Sequence, residues 1–157
     1  MTERVVLEPG MSAPEFALLD QDGAERKLSD FRGKKVVIFF YPQAMTPACT
    51  KEACEFQESS APLADAGYEV LGISRDPVDK LRRFADRDSL EYPLLSDPDT
   101  AAHRAYGTFG EKNSYGRIVE GVIRSTFVVD EQGKIEHALY NIRATGHVAR
   151  VVKMLGV

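Results

Sequence analysis

The stretch Phe40-Tyr41-Pro42-Gln43-Ala44-Met45-Thr46-Pro47-Ala48-Cys49-Thr50-Lys51-Glu52-Ala53-Cys54 holds both cysteines of a 157-residue chain. Two thiols five positions apart either react with each other or lie there incidentally. The thiolate is the nucleophilic form of cysteine. Lowering a thiol pKa from about 8.5 to about 6 raises the ionised share at pH 7 from about 3% to roughly 90%. Thr46 followed by Pro47 reads as a helix start, with threonine at the N-cap and proline at the first helical position. Cys49 then falls in the first turn, beside unpaired backbone N–H groups and the positive end of the helix dipole. The Thr46 hydroxyl can hydrogen-bond a species held against the sulfur. The residues alone also allow a plainer reading, in which Thr46 only caps the helix and Cys49 is a small buried side chain.

The spacing sharpens the choice. In an intact helix, residues i and i+5 lie about 7.5 Å apart along the axis and about 140° around it, so their Cα atoms are about 8.6 Å apart. That exceeds the roughly 7 Å limit for a disulfide. Cys49 and Cys54 can bond only if the first turns of the helix unwind. This differs from CxxC chemistry, in which the sulfurs are already adjacent.

The elements that must position these residues can be read around them. Pro9 to Pro14 is loop-like. Phe16 to Leu19 and Gln21-Asp22-Gly23 read as a short strand and hairpin turn. Leu28 to Arg32 reads as one helical turn closed by Gly33. Lys35 to Tyr41 is apolar on both faces and reads as a central covered strand, ended by Pro42. Pro47 to about Ala66 reads as a helix closed by Gly67. Tyr68 to Ser74 is the next strand, and Pro77 to about Asp88 the next helix. Tyr92 to Leu95 reads as an edge-like strand, Thr100 to Tyr106 as a short helix, and Gly107 to Gly121 as a long loop. Arg124 to Asp130 and Lys134 to Asn141 form a hairpin, and Gly146 to Leu155 a closing amphipathic helix. This order describes a three-layer α/β domain with a mixed sheet. Sites in such sheets lie at the carboxyl ends of strands, where helices begin, and the cysteine stretch occupies such a place.

Pro42 to Cys49 fits PxxxTxxC, the active-site pattern of the peroxiredoxins. The run "TPACTKEACEF" resembles the bacterioferritin-comigratory-protein, or peroxiredoxin Q, branch. The likeness continues through "PGMSAPEFAL", "AYGTFGEKNSYGR", "GVIRSTFVVDEQGKI" and "ATGHVARVV", and so covers nearly the whole chain. The resemblance implies one thioredoxin-like domain over residues 1–157, an α/β three-layer sandwich with a mixed central sheet and an N-terminal hairpin extension. It implies a thiol peroxidase of the atypical two-cysteine kind, reducing hydrogen peroxide and organic hydroperoxides. By position, Cys49 resembles the peroxidatic cysteine and Thr46 the residue that hydrogen-bonds the peroxide. Pro42 matches the residue that shields the cysteine from water, Arg124 the arginine that stabilises thiolate and polarised peroxide, and Cys54 the resolving cysteine. Taken alone, Arg124 reads as a sheet-surface ion pair. The product on Cys49 would be sulfenic acid, and thioredoxin or another dithiol or thiol reductant would recycle the disulfide. No cofactor is implied. The chain departs from the branch at Ala48, where glycine is usual, and at Gln43-Ala44-Met45. The latter predicts a more apolar pocket rim favouring organic hydroperoxides.

Other residues have two readings each. Asp97 and Asp99 flank Pro98 as a turn and helix cap, or as paired acids for a metal. Tyr41 and Phe109 line the pocket or pack in the core. Glu52, one turn after Cys49, pairs with a cation or faces solvent. His103, His137 and His147 are scattered, so four clustered zinc ligands are missing and no metal is expected. No glycine-rich nucleotide loop occurs. The chain is 43% hydrophobic and 28% charged with a net charge of -4. Charges of both signs are interspersed, which argues against nucleic acid or an anionic membrane as partner. Met1-Thr2-Glu3-Arg4 leads into no signal-peptide core, and no apolar run is long enough to span a bilayer. A cytoplasmic monomer, capable of weak dimerisation, is the expectation. Two rival functions stay open: a thiol–disulfide oxidoreductase, which the missing CxxC disfavours, and a catalytically silent interaction module, which would not need Pro42, Thr46, Cys49 and Arg124 together.

Overall fold

The computed structural model describes residues 4–114 and 116–157. The strands are β1 (Ala17–Leu19), β2 (Glu25–Lys27), β3 (Lys35–Phe40), β4 (Tyr68–Ser74), β5 (Leu94–Ser96), β6 (Phe109–Ser114), β7 (Arg117–Val122), β8 (Ser125–Val129) and β9 (Ile135–Leu139). The α-helices are α1 (Pro47–Asp65), α2 (Val78–Asp88), α3 (Ala101–Tyr106) and α4 (His147–Met154), and a 3-10 turn spans Leu28–Phe31. The reading of Met1 to Glu3 lies outside the described residues, as does Tyr115 within the expected loop.

Seven strands form one sheet in the order β2-β1-β5-β4-β3-β8-β9. β3, β4 and β5 run parallel, while β8 and β9 add antiparallel on one side and the β1–β2 hairpin on the other. This is the thioredoxin-like mixed sheet with an N-terminal hairpin that the family resemblance implies.

The apolar run of β3 sets the layers. Side chains alternate along a strand, so Val37, Phe39 and Tyr41 face a core shared with α1, α2 and α4. Val36, Ile38 and Phe40 face a second core with Leu7, Phe16, Ala102 and Tyr106. Every residue from Val36 to Tyr41 is buried. The Phe39 ring lies across β4 at Gly72, stacks on Phe56 of α1 at 4.7 Å, and meets the edge of Tyr92. A Cβ at Gly72 would stand 2.9 Å from Phe39 Cζ and 3.2 Å from Leu94 Cδ2. Gly72→Ala is therefore expected to overpack this core and lower stability by about 1–3 kcal/mol, read as a lower denaturant midpoint at unchanged slope.

Two expectations need correction. β5 is no edge strand: it lies between β4 and β1, although Leu19–Ser96 is its single registered pair with β1. Gly107 to Gly121 is not a long loop: β6 and β7 form an antiparallel ribbon paired from Phe109–Val122 to Ser114–Arg117. Residues 117–120 of β7 are exposed on both faces. With neither face buried there, no alternation of apolar and polar residues marks the strand.

Candidate active site

The register of β3 and β8 builds the site. Phe40 pairs with Ser125, so Arg124 stands beside the point where the chain leaves β3 for α1. The Arg124 backbone is pinned there by a bond from Ile142 N to its carbonyl at 3.0 Å. The half-buried Pro42 ends the strand, and the loop to α1 turns through Met45 at φ 65°. A non-glycine residue in the left-handed region needs its surroundings to hold it. Asp76 does part of this: its Oδ2 accepts from Ala44 N at 2.7 Å and from the Ser74 hydroxyl at 2.8 Å, and Lys80 lies 3.2 Å from Oδ1. Ala44 is buried and Met45 packs against the core. Gln43 alone of the three is exposed, so the expected apolar rim at Gln43-Ala44-Met45 is mostly core packing.

Thr46 has N-cap backbone geometry and Pro47 begins α1, which places Cys49 in the first turn. The capping hydrogen bond is absent. The Thr46 hydroxyl instead donates to Gln43 O at 2.8 Å. The first N–H groups of α1 thus carry no side-chain cap, and the Thr46 oxygen keeps its lone pairs free of them.

Cys49 is buried at 1% exposure, and Arg124 Nη2 lies 3.2 Å from its sulfur. Arg124 Nη1 donates to Glu52 Oε1 at 2.5 Å. Cys49 and Glu52 are three residues apart and share a helix face, so one guanidinium spans both. Arg124 is therefore a largely covered anchor, with its side chain 13% exposed, not a sheet-surface ion pair. The sequence alone allows Glu52 either a cation or solvent. It is fully buried on the cation, and its helical offset from Cys49 was the signal.

Burial pushes the Glu52 carboxyl up to about 7 against the pull of Arg124, with Glu55 adding to the rise. Its Oε2 has no hydrogen-bond partner among the described residues. Burial alone would lower the Arg124 pKa, but the charges of Glu52 and Cys49 raise it above its usual value. A carboxyl raised from 4.5 to about 7 favours the folded state below pH 4.5, and that stability is lost as pH rises through about 7. His147 runs the other way: burial, then Arg150 and Arg124, push it down to about 4, so stability is lost as pH falls from about 6.5 toward 4. The difference between wild type and Glu52→Gln isolates the first effect. Urea titrations from pH 4 to 8 are expected to show wild type losing stability relative to Glu52→Gln between pH 4.5 and 7.

Cys54 is half-buried in the same helix, and both thiols are free. Burial, then Asp88 and Glu58, push its thiol pKa up, partly offset by Arg87. Tyr41 is wholly buried and serves the core. The guanidinium groups of Arg75 and Arg104 both lie over the Phe109 ring, 5.0 and 4.8 Å from its centre. Asp97 caps α3 through Ala102 N and His103 N, and meets His103 Nδ1 at 2.6 Å. The cap reading holds there, and no group of three or more metal-ligating side chains occurs among the described residues.

The AhpC/TSA family model matches residues 9–138. A Mycobacterium tuberculosis protein named as a peroxiredoxin is 52% identical over 157 residues, covering 100% of both chains. Peroxiredoxin Bcp of Escherichia coli is 43% identical over 141 residues, 90% of each chain. The bacterioferritin comigratory protein of Xanthomonas campestris superposes with a TM-score of 0.86 at 32% identity, over 98% of both chains. The AhpC/TSA match across most of the chain, and relatives this similar over at least 90% of their length, make the chain a member of the peroxiredoxins of the Bcp and PrxQ kind.

Proposed function

We propose that the chain is a thiol-dependent peroxidase in which Cys49 is oxidised and Cys54 resolves it. The Cys49 thiolate attacks one oxygen of a hydroperoxide. An S–O bond forms, the O–O bond breaks, and the departing alkoxide or hydroxide takes a proton from water. Cys49 is oxidised by two electrons to sulfenic acid as the peroxide is reduced to an alcohol or water. The single observation that carries this reading is Arg124 bridging the Cys49 sulfur and Glu52 in the first turns of α1. A guanidinium fixed by a buried carboxylate needs little reorganisation when negative charge develops beside it. Thr46 would hydrogen-bond the peroxide, and Pro42 would shield the sulfur from water.

The Cys54 thiol then attacks the sulfenic sulfur. An S–S bond forms, the S–O bond breaks, and the hydroxyl leaves with the Cys54 proton as water. An external dithiol, of the thioredoxin type, reduces the disulfide. Organic hydroperoxides are within the substrate range, in keeping with the alkyl peroxide reduction activity for which the Xanthomonas protein is described. The chain works in the cytoplasm as one domain, without metal or cofactor, and an intrachain partner thiol lets it work as a monomer. No helix among the described residues is long and apolar enough to cross a membrane.

Steady-state peroxide consumption with a small dithiol as reductant tests the reading. Many turnovers per chain, linear in protein, are expected. Reduction of insulin disulfides without peroxide consumption would instead identify a thiol–disulfide oxidoreductase.

A further inference from the structure

The turns of α1 between the two cysteines are held by more than their own helix. Tyr92, on the segment between α2 and β5, donates its hydroxyl to Ala53 O at 2.7 Å. That hydrogen bond is buried, and Tyr92 is only 7% exposed. Ala53 immediately precedes Cys54, and its carbonyl is also placed to accept the helix bond from Gln57. Arg87 Nη2 of α2 donates to the Thr50 hydroxyl at 2.8 Å, one residue after Cys49. Farther on, Gln57 Oε1 accepts from Glu91 N at 2.7 Å. Unwinding from the N-terminus of α1 must release Thr50 from Arg87 before it reaches Ala53. Moving Ala53 strips a buried phenol of its acceptor, and an unpaired buried donor is costly.

We propose that Tyr92 is a positioning residue for the resolution step, clamping the Ala53 carbonyl so that Cys54 reaches oxidised Cys49 only when this hydrogen bond opens. The inference rests on the reading that Cys54 resolves Cys49. Arg87 on Thr50 assists at the other end of the segment. While the clamp is closed, Cys54 stays in its helix, its thiol pKa pushed up by partial burial and by Asp88 and Glu58. Sulfenic acid at Cys49 then persists, open to a second peroxide that carries it to sulfinic acid. The clamp therefore sets the ratio of resolution to overoxidation.

Tyr92→Phe removes the hydroxyl and keeps the ring against Phe39. Rapid-quench mass spectrometry, with thiols blocked by alkylation, follows sulfenic acid, disulfide and sulfinic acid on each chain. Disulfide formation is expected to be about 3- to 10-fold faster in Tyr92→Phe, the worth of one ordinary hydrogen bond. Sulfinic acid per turnover is expected to fall by the same factor, while sulfenic acid forms within about 2-fold of the wild-type rate. Amides of residues 50–54 are expected to exchange faster in the reduced variant, a readout independent of peroxide. An unchanged disulfide rate with a wild type that does form the disulfide overturns the clamp alone. An equal change in sulfenic acid formation also overturns it, because the hydroxyl would then act on the fold as a whole. Wild-type sulfenic acid that never becomes a disulfide overturns both the clamp and the resolving role of Cys54, leaving Cys49 as a lone peroxidatic thiol.

Discussion

Replacing Cys49 by serine is expected to abolish peroxide consumption, with kcat/KM falling on the order of 10⁴-fold or more. A serine hydroxyl has no accessible anion near neutral pH and no two-electron oxidation corresponding to sulfenic acid. The remaining thiol cannot substitute. Cys54 lies five residues along the helix with its pKa pushed up, and the Arg124 guanidinium that meets Cys49 at 3.2 Å is paired elsewhere with Glu52. Cys54→Ser should behave differently. It keeps the first oxidation at Cys49, stops at sulfenic acid, and goes on to sulfinic acid under excess peroxide. Competition against a dye-forming peroxide assay reads the first effect, and intact mass reads the second. Comparable peroxide consumption by Cys49→Ser would move the nucleophile to another residue.

Arg124→Lys carries the second large effect, a loss of about 10²- to 10³-fold in the rate constant for peroxide, the usual cost of removing one preorganised donor from developing charge. The substitution keeps the charge and changes the shape. Arginine offers a fixed fork, one arm on Glu52 Oε1 and the other on the Cys49 sulfur. A single ammonium cannot hold both positions with that geometry. Lysine drawn to Glu52 abandons the sulfur, and lysine drawn to the sulfur leaves a fully buried carboxyl unpaired. Glu52 then takes up a proton more readily than at its already raised value of about 7. Stopped-flow measurement of peroxide decay against peroxide concentration checks this, with circular dichroism confirming the fold. A loss under about 3-fold would mean that shape is unimportant and charge alone suffices.

Much of this arrangement is legible in the sequence. The β3 run is β-branched and aromatic at consecutive apolar positions, the pattern of a strand covered on both faces, and Thr46-Pro47 marks the start of α1 at Pro47. Those two features locate Cys49 at a strand–helix junction. The remainder depends on pairing across the chain, which local pattern does not carry. The meeting of Arg124 with Cys49 follows from the antiparallel register of Phe40 with Ser125. Without the family resemblance, an arginine at the start of the expected strand Arg124 to Asp130 reads as a sheet-surface ion pair. Glu52 looked equally suited to solvent because its burial depends on what covers that face of α1. Thr46 satisfied the cap pattern, yet its hydroxyl turned back to Gln43, a choice made by the loop that Asp76 holds. The β6–β7 ribbon is hidden because residues 117–120 of β7 are exposed on both faces and carry no burial pattern to read. Tyr92 is a similar case: a tyrosine before Pro93-Leu94-Leu95 reads as strand, and its hydroxyl bond to Ala53 spans 39 residues.

The most direct test is the intact mass and free-thiol count of reduced protein mixed for seconds with one equivalent of hydrogen peroxide at neutral pH. The account predicts loss of two hydrogens and of both thiols in wild type, and gain of one oxygen on Cys49 in Cys54→Ser. An unchanged mass with two intact thiols would contradict it, leaving Cys49 a buried thiol beside an arginine and no peroxidase.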